Sequence, residues 1–142
     1  MKPKNLFMVV CIVCAVCVAG CEQKVDTPQV SSIVVSERKG TEMDVDSLPE
    51  SIEFVLQSGV LHVAHNNVLA NCGTSEQLHI RCMISNDTLF LIEDTSEGPN
   101  CLYIFDWTYC ISPFKAGVWH VKLNNDTTFM VTIDETTRRI IL

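Results

Sequence analysis

From Ser51 onward the chain alternates apolar and polar residues with a period of two, and turn residues interrupt it at short, regular intervals. Gln77 to Ile84 shows it best: Leu78, Ile80, Cys82 and Ile84 share one face, His79 and Arg81 the other. That period belongs to a half-buried β-strand, because successive side chains on a strand point to opposite sides. Ile52 to Gln57 and Val60 to His65 flank Ser58-Gly59, a two-residue hairpin signal. Asn86-Asp87 turns the chain into a strand from Thr88 to Glu93. Cys101 to Ile111 forms a long strand rich in aromatics. Gly117 to Leu123 and Thr127 to Ile133 make a hairpin about Asn124-Asn125-Asp126, and Arg138 to Leu142 is placed to add a short final strand. No segment carries a helical run. About seven short strands with turn signals every ~8–12 residues predict an all-β fold, an antiparallel immunoglobulin-like β-sandwich. A barrel is the competing architecture.

The chain holds eight cysteines. Four of them, Cys72, Cys82, Cys101 and Cys110, fall in the strand-rich region. An even number suits two disulfides in an exported domain. A zinc site is the rival reading, but zinc ligands usually come in close pairs such as CxxC, and these four are spaced 10, 19 and 9 residues apart. Free buried thiols are a further alternative. If the strand from Cys101 lies beside the 77–93 hairpin, the easy bridges are Cys72–Cys101 and Cys82–Cys110. A bridge along a single strand would have to span ten residues, about 30 Å, whereas bridged Cα atoms lie within about 7 Å.

The N-terminus reads as an address. Lys2 and Lys4 precede an apolar run from Leu6 to Val18, followed by Ala19, Gly20 and Cys21. This order of charge, apolar stretch and small residues is that of a secretory signal peptide. The apolar run is too short for a permanent span, which needs ~20 residues. The placement of Cys21 resembles the lipobox of bacterial lipoproteins, which implies cleavage before Cys21 and acylation of its thiol. Three segments follow: a signal peptide at 1–20, a lipidated flexible tether at 21–50, and the sandwich at 51–142. The tether is polar and only Ile33-Val34-Val35 could form a short strand, too little apolar surface to offset ordering. Loss of Lys2 and Lys4 takes the formal charge from −7 to −9. Such an acidic chain is a poor match for nucleic acid, which requires basic patches. Its bilayer contact is expected through the acyl chains on Cys21, each buried CH₂ contributing ~0.8 kcal/mol. Glu22 does not resemble the aspartate that retains some lipoproteins at the inner membrane, so the outer membrane is the expected site.

Four segments in order resemble small lipoproteins of Bacteroidetes, including the NigD-like group: His65 to Cys72, Asn86-Asp87-Thr88-Leu89 leading to Glu93, Cys101 to Asp106, and Pro113 to Val121. The resemblance covers roughly residues 51–133 and implies an envelope address and a β-sandwich, without an established reaction. Trp119 stands where that group usually has tyrosine. In physical terms, Pro113 to Val121 reads as a loop closed by proline and glycine, with Trp119 set at the edge of the core.

Candidates for chemistry are few. Asp106, Trp107 and Tyr109 form a candidate ligand platform, since exposed aromatics stack on sugar faces while a carboxylate takes hydroxyls; core packing is the alternative. His62 and His65 lie three apart, which on a strand puts them on opposite faces and makes a poor chelate, so no metal or other cofactor is expected. His79 and His120 read as solvent-facing. Ser47, Thr88 and Thr127 each follow an aspartate and match the short O-glycosylation site implied by the resemblance. No catalytic motif stands out. The expected role is a binding or structural module of the outer envelope, partnered with an envelope protein or glycan. A thiol–disulfide redox protein using Cys72 and Cys101, or an acidic inhibitor or immunity protein, is the alternative.

Overall fold

The structure, a computed structural model, describes residues 27–38, 49–95 and 101–142. The signal segment, Cys21 and Ser47 lie outside the described residues. Nine strands are present among those described: β1 (Gln29–Arg38), β2 (Ser51–Gln57), β3 (Val60–Asn71), β4 (His79–Ser85), β5 (Thr88–Asp94), β6 (Leu102–Ser112), β7 (Gly117–Leu123), β8 (Thr127–Ile133) and β9 (Arg138–Ile141). They form two sheets in the orders β1-β6-β3-β2-β9 and β4-β5-β7-β8. This is the all-β sandwich expected from the alternation, with its own strand order. The seven anticipated strands are joined by β9, anticipated as a short final strand, and by β1.

β1 corrects the reading of 21–50 as tether throughout. Gln29–Arg38 pairs antiparallel with β6, from Gln29 opposite Ser112 to Arg38 opposite Ile104. Val30 and Val35 pack against the core. The strand is thus held by a ladder on one edge and a few apolar contacts, a combination that composition alone undervalues.

The hairpins are local and follow the turn chemistry. Gln57 faces Val60 across Ser58-Gly59, and both turn residues have positive φ, 51° and 79°, as the strand-matching two-residue turn demands. Ser85 faces Thr88 across Asn86 (φ 54°). Leu123 faces Thr127 across a loop with Asn124 and Asn125 at φ 51° and 66°. Asparagine visits this left-handed region more readily than most residues. A single helical turn, α1 (Thr74–Gln77), joins β3 to β4. Among the described residues no helix is long and apolar enough to cross a membrane.

β6 is the element that closes the sandwich. It leaves the β4–β5 hairpin, crosses to the other sheet, and inserts between β1 and β3. The chain then returns as β7, which lies parallel to β5, Leu89 opposite Val121. A parallel pair needs such a crossover, and here β6 supplies it. The core lies between the sheets. Ile52, Phe54, Leu61, Val63, Phe105, Trp107, Tyr109 and Ile111 face inward from one sheet; Leu89, Leu91, Val121, Leu123, Val131 and Ile133 meet them from the other. Burying each such side chain contributes about 1.5–3 kcal/mol. Phe114 and Trp119 plug one end, with ring centroids 4.8 Å apart, and Phe114 N–H donates to the Gly59 carbonyl. This is the core-edge role expected of Trp119.

The cysteines divide. Asn71 and Leu102 are the last cross-strand partners of β3 and β6. Cys72 and Cys101 follow at the end of that ladder, form a disulfide with Cα atoms 5.5 Å apart, and share a backbone hydrogen bond from Cys72 N–H to Cys101 O. The expected Cys82–Cys110 bridge does not form; both are free thiols. The cause is the crossing of β6. Cys82 lies on β4 and packs against the core from one sheet. Cys110 lies on β6 in the other sheet, between inward Tyr109 and Ile111, and so faces outward.

Candidate functional site

Two strands carry a polar residue where their period calls for a core residue. On β3, Leu61, Val63 and His65 share the inner face; on β5, Leu89, Leu91 and Glu93 do. The sandwich brings these two together. His65 Nδ1 lies 2.6 Å from Glu93 Oε2, and both side chains are essentially inaccessible to solvent, at 1% and 0% exposure. Tyr109 on β6 donates its hydroxyl to the other Glu93 oxygen at 2.7 Å. His65 Nε2 reaches Glu50 Oε1, just before β2, at 2.8 Å. Glu93 N–H donates to the side chain of Asn124 in the β7–β8 loop. The result is a continuous chain, Tyr109–Glu93–His65–Glu50, running from the centre of the core to a carboxylate that is 39% exposed.

Local structure aims these groups. A β-bulge sits just past His65: His65 pairs with Trp107 and Val68 with Phe105, so Asn66 and Asn67 oppose the single residue Asp106. Asn67 has φ 61°, and its N–H donates to Asp106 Oδ1 at 2.9 Å while its side chain donates to the Pro49 carbonyl. That second contact ties the segment carrying Glu50 against β3. Trp107 meets the His65 ring edge-on, with centroids 5.5 Å apart and planes at 89°.

The electrostatics favour a charged imidazole. Burial acts to lower the His65 pKa, but hydrogen bonds to Glu50 and Glu93 and their negative charges outweigh it, and the pKa rises from 6.5 to about 9. His65 is therefore an imidazolium near neutral pH, clamped between two carboxylates. Burial and the adjacent Glu93 charge push Tyr109 well above its ordinary value, so it remains a hydroxyl donor. Both nitrogens of His65 and both oxygens of Glu93 bind other members of the chain. The arrangement suits a brace joining both sheets, because an ionic group buried with its partners is costly to separate.

A second cluster lies on the outer face of the five-stranded sheet. His62 on β3 is the direct cross-strand partner of Cys110 on β6. His62 Nδ1 and Cys110 Sγ are 3.3 Å apart, and both residues are half-buried. They line a recess of about 350 Å³ walled also by Ser32, Glu53, Val55 and Thr108. The recess exists because β1 bulges there: Ser31 pairs with Cys110 and Val34 with Thr108, leaving Ser32 and Ile33 against one residue, and Ser32 adopts φ 55°.

The sequence candidates are distributed differently from expectation. The Asp106, Trp107 and Tyr109 platform is not assembled. Trp107 and Tyr109 are each 1% exposed, within the core. Asp106 immediately precedes Trp107, so the strand period turns it to the other face, where it takes the Asn67 N–H. His62 and His65 do point to opposite faces. His79 is exposed, and His120 is part-exposed with Asp87 at 3.7 Å. Thr88 is half-buried at the start of β5 and donates weakly to Asp87; Thr127 is exposed at the start of β8. His65, Glu93 and Glu50 were missed. The available signal was a histidine and a glutamate, each completing an otherwise apolar inner-face triplet.

Fold and site together define a class: an all-β sandwich braced by one disulfide and one buried ionic chain. Compared with models of known protein families, with curated proteins and with solved structures, the chain matches none of them.

Proposed function

We propose that this protein is a lipid-anchored module of the bacterial outer envelope, exported through its N-terminal segment and held at the membrane by acylated Cys21, with a binding or structural rather than catalytic role. The observation that carries this reading is the Cys72–Cys101 disulfide behind a signal-like N-terminus. Disulfides persist in oxidising compartments and are rare in the cytosol. A charged start, an apolar run too short to span, and Cys21 after two small residues supply the route. The order of motifs similar to NigD-like lipoproteins agrees with it. A structural role is supported by the His65 chain, whose polar atoms bind one another and brace the two sheets. The envelope partner is a protein or glycan. Of the two proposed glycan acceptors among the described residues, Thr127 is exposed at a strand start and Thr88 is half-buried.

The test is mass spectrometry of the chain recovered from fractionated cells. Lipoprotein processing gives an N-terminus at Cys21 carrying acyl groups, a Cys72–Cys101 linkage, and recovery with membranes; Cys21→Ala abolishes acylation and membrane recovery. A chain beginning at Met1 with reduced Cys72 and Cys101 in the soluble fraction would overturn the proposal.

A further inference from the structure

We propose that Cys110 is a nucleophilic thiol, with His62 as its base, and that the recess around them is a site for small disulfide compounds. Four observations meet at one place. The thiol is free although the chain contains a disulfide elsewhere. Its sulfur lies 3.3 Å from an imidazole nitrogen, within hydrogen-bond reach and so able to pass its proton. The pair opens into a recess of about 350 Å³, at the small end of ligand-pocket volumes, which run ~300–1,000 Å³. The wall facing Cys110 is a bulged strand with a non-glycine residue at φ 55°, a conformation that requires support from its surroundings.

The reaction is thiol–disulfide exchange. Cys110 Sγ attacks one sulfur of R–S–S–R while its proton passes to His62 Nδ1. The R–S–S–R bond breaks, the Cys110–S–S–R bond forms, and the leaving thiolate takes the proton back from His62 to become R–SH. Electrons balance within the two sulfur pairs, and the disulfide is the only co-reactant. Such compounds belong to an oxidising compartment, so the biological setting rests on export; the chemistry itself does not.

Cys82 provides an internal control. It is also free and half-buried, but its thiol donates to the Pro28 carbonyl, 3.7 Å away, and burial pushes its pKa up. That partner is a carbonyl, not an imidazole.

The experiment uses the chain as purified from cells in detergent, treated with bis(2-hydroxyethyl) disulfide near neutral pH. Site-resolved mass spectrometry follows Cys110 and Cys82 separately. Cys110 is expected to form the mixed disulfide at least about tenfold faster than Cys82. His62→Ala, with its unfolding midpoint checked, should slow Cys110 about tenfold and leave Cys82 unchanged. Added imidazole should restore much of the Cys110 rate in that variant, which a purely structural role for His62 would not allow. If His62→Ala fails to fold, His62→Gln and the Cys110-to-Cys82 rate ratio in the unsubstituted chain decide. Equal rates at the two cysteines, or a Cys110 rate indifferent to loss of His62, would overturn the proposal. Either result would leave processing at Cys21 untouched, so the two readings fail separately.

Discussion

Raising the pH should unclamp the sandwich at His65, and the size of the effect can be worked from its surroundings. In the folded protein His65 titrates at about 9, against 6.5 for an unperturbed imidazole. A folded-state pKa above the unfolded one means that the native state holds its proton more tightly. The resulting stability is fully present below about pH 6.5 and is lost as pH rises through about 9. At 1.36 kcal/mol per tenfold change, the whole effect is about 3 kcal/mol, of which about 2 kcal/mol disappears between pH 7 and 9.5. Tyr109 stays protonated across this window because burial and Glu93 push it well above its ordinary value. His65→Gln isolates the effect, since it keeps hydrogen-bonding capacity but cannot charge. Urea unfolding, followed by the fluorescence of buried Trp107, should show the unsubstituted chain more stable than the variant near neutral pH. The gap should shrink by about 2 kcal/mol by pH 9.5. NMR should show the His65 imidazole titrating at about 9. A gap independent of pH, or a His65 imidazole titrating near 6.5, would refute the buried ionic clamp.

Further expectations follow from the same structure. Replacing Cys72 and Cys101 together by serine removes a bridge between residues 29 apart, and chain-entropy reasoning puts the loss at about 3–4 kcal/mol, readable as a lower urea midpoint. Tyr109→Phe leaves a Glu93 oxygen without its buried donor and should cost about 1–3 kcal/mol, whereas Cys82→Ala should change the midpoint far less. Trp107→Ala should cost about 3–5 kcal/mol as a core cavity, read in a calorimetric scan, and Asp106→Ala should lower the transition in the same scan if its contact with the Asn67 N–H holds the β3 bulge. Loss of glycan mass on Thr127→Ala, with no change on Thr88→Ala, would fit their difference in exposure; retention of the same glycan mass in both variants would exclude Thr127 as the acceptor.

The strands, their hairpin turns and the inward or outward sense of each residue were legible in the sequence, because a period of two and the φ demands of Ser58-Gly59, Asn86 and Asn124 act over a few residues. That same parity, carried through consistently, already separated Asp106 from Trp107 and Tyr109 and His62 from His65. Which sheet a strand joins was not legible. It depends on contacts between distant segments, and β6 has apolar residues enough to pack beside either hairpin. Its passage to the β3 side decided that Cys72 meets Cys101 while Cys82 and Cys110 stay apart. It also put Tyr109 within reach of Glu93, and His62 beside Cys110. β1 was hidden for a related reason: an edge strand with one bonded side needs little hydrophobic signal of its own once a neighbour supplies the ladder. The sequence alone determined the alternation and the turns; tertiary structure decided every pairing across sheets, since these rest on residues dozens of positions apart finding the same place in the core.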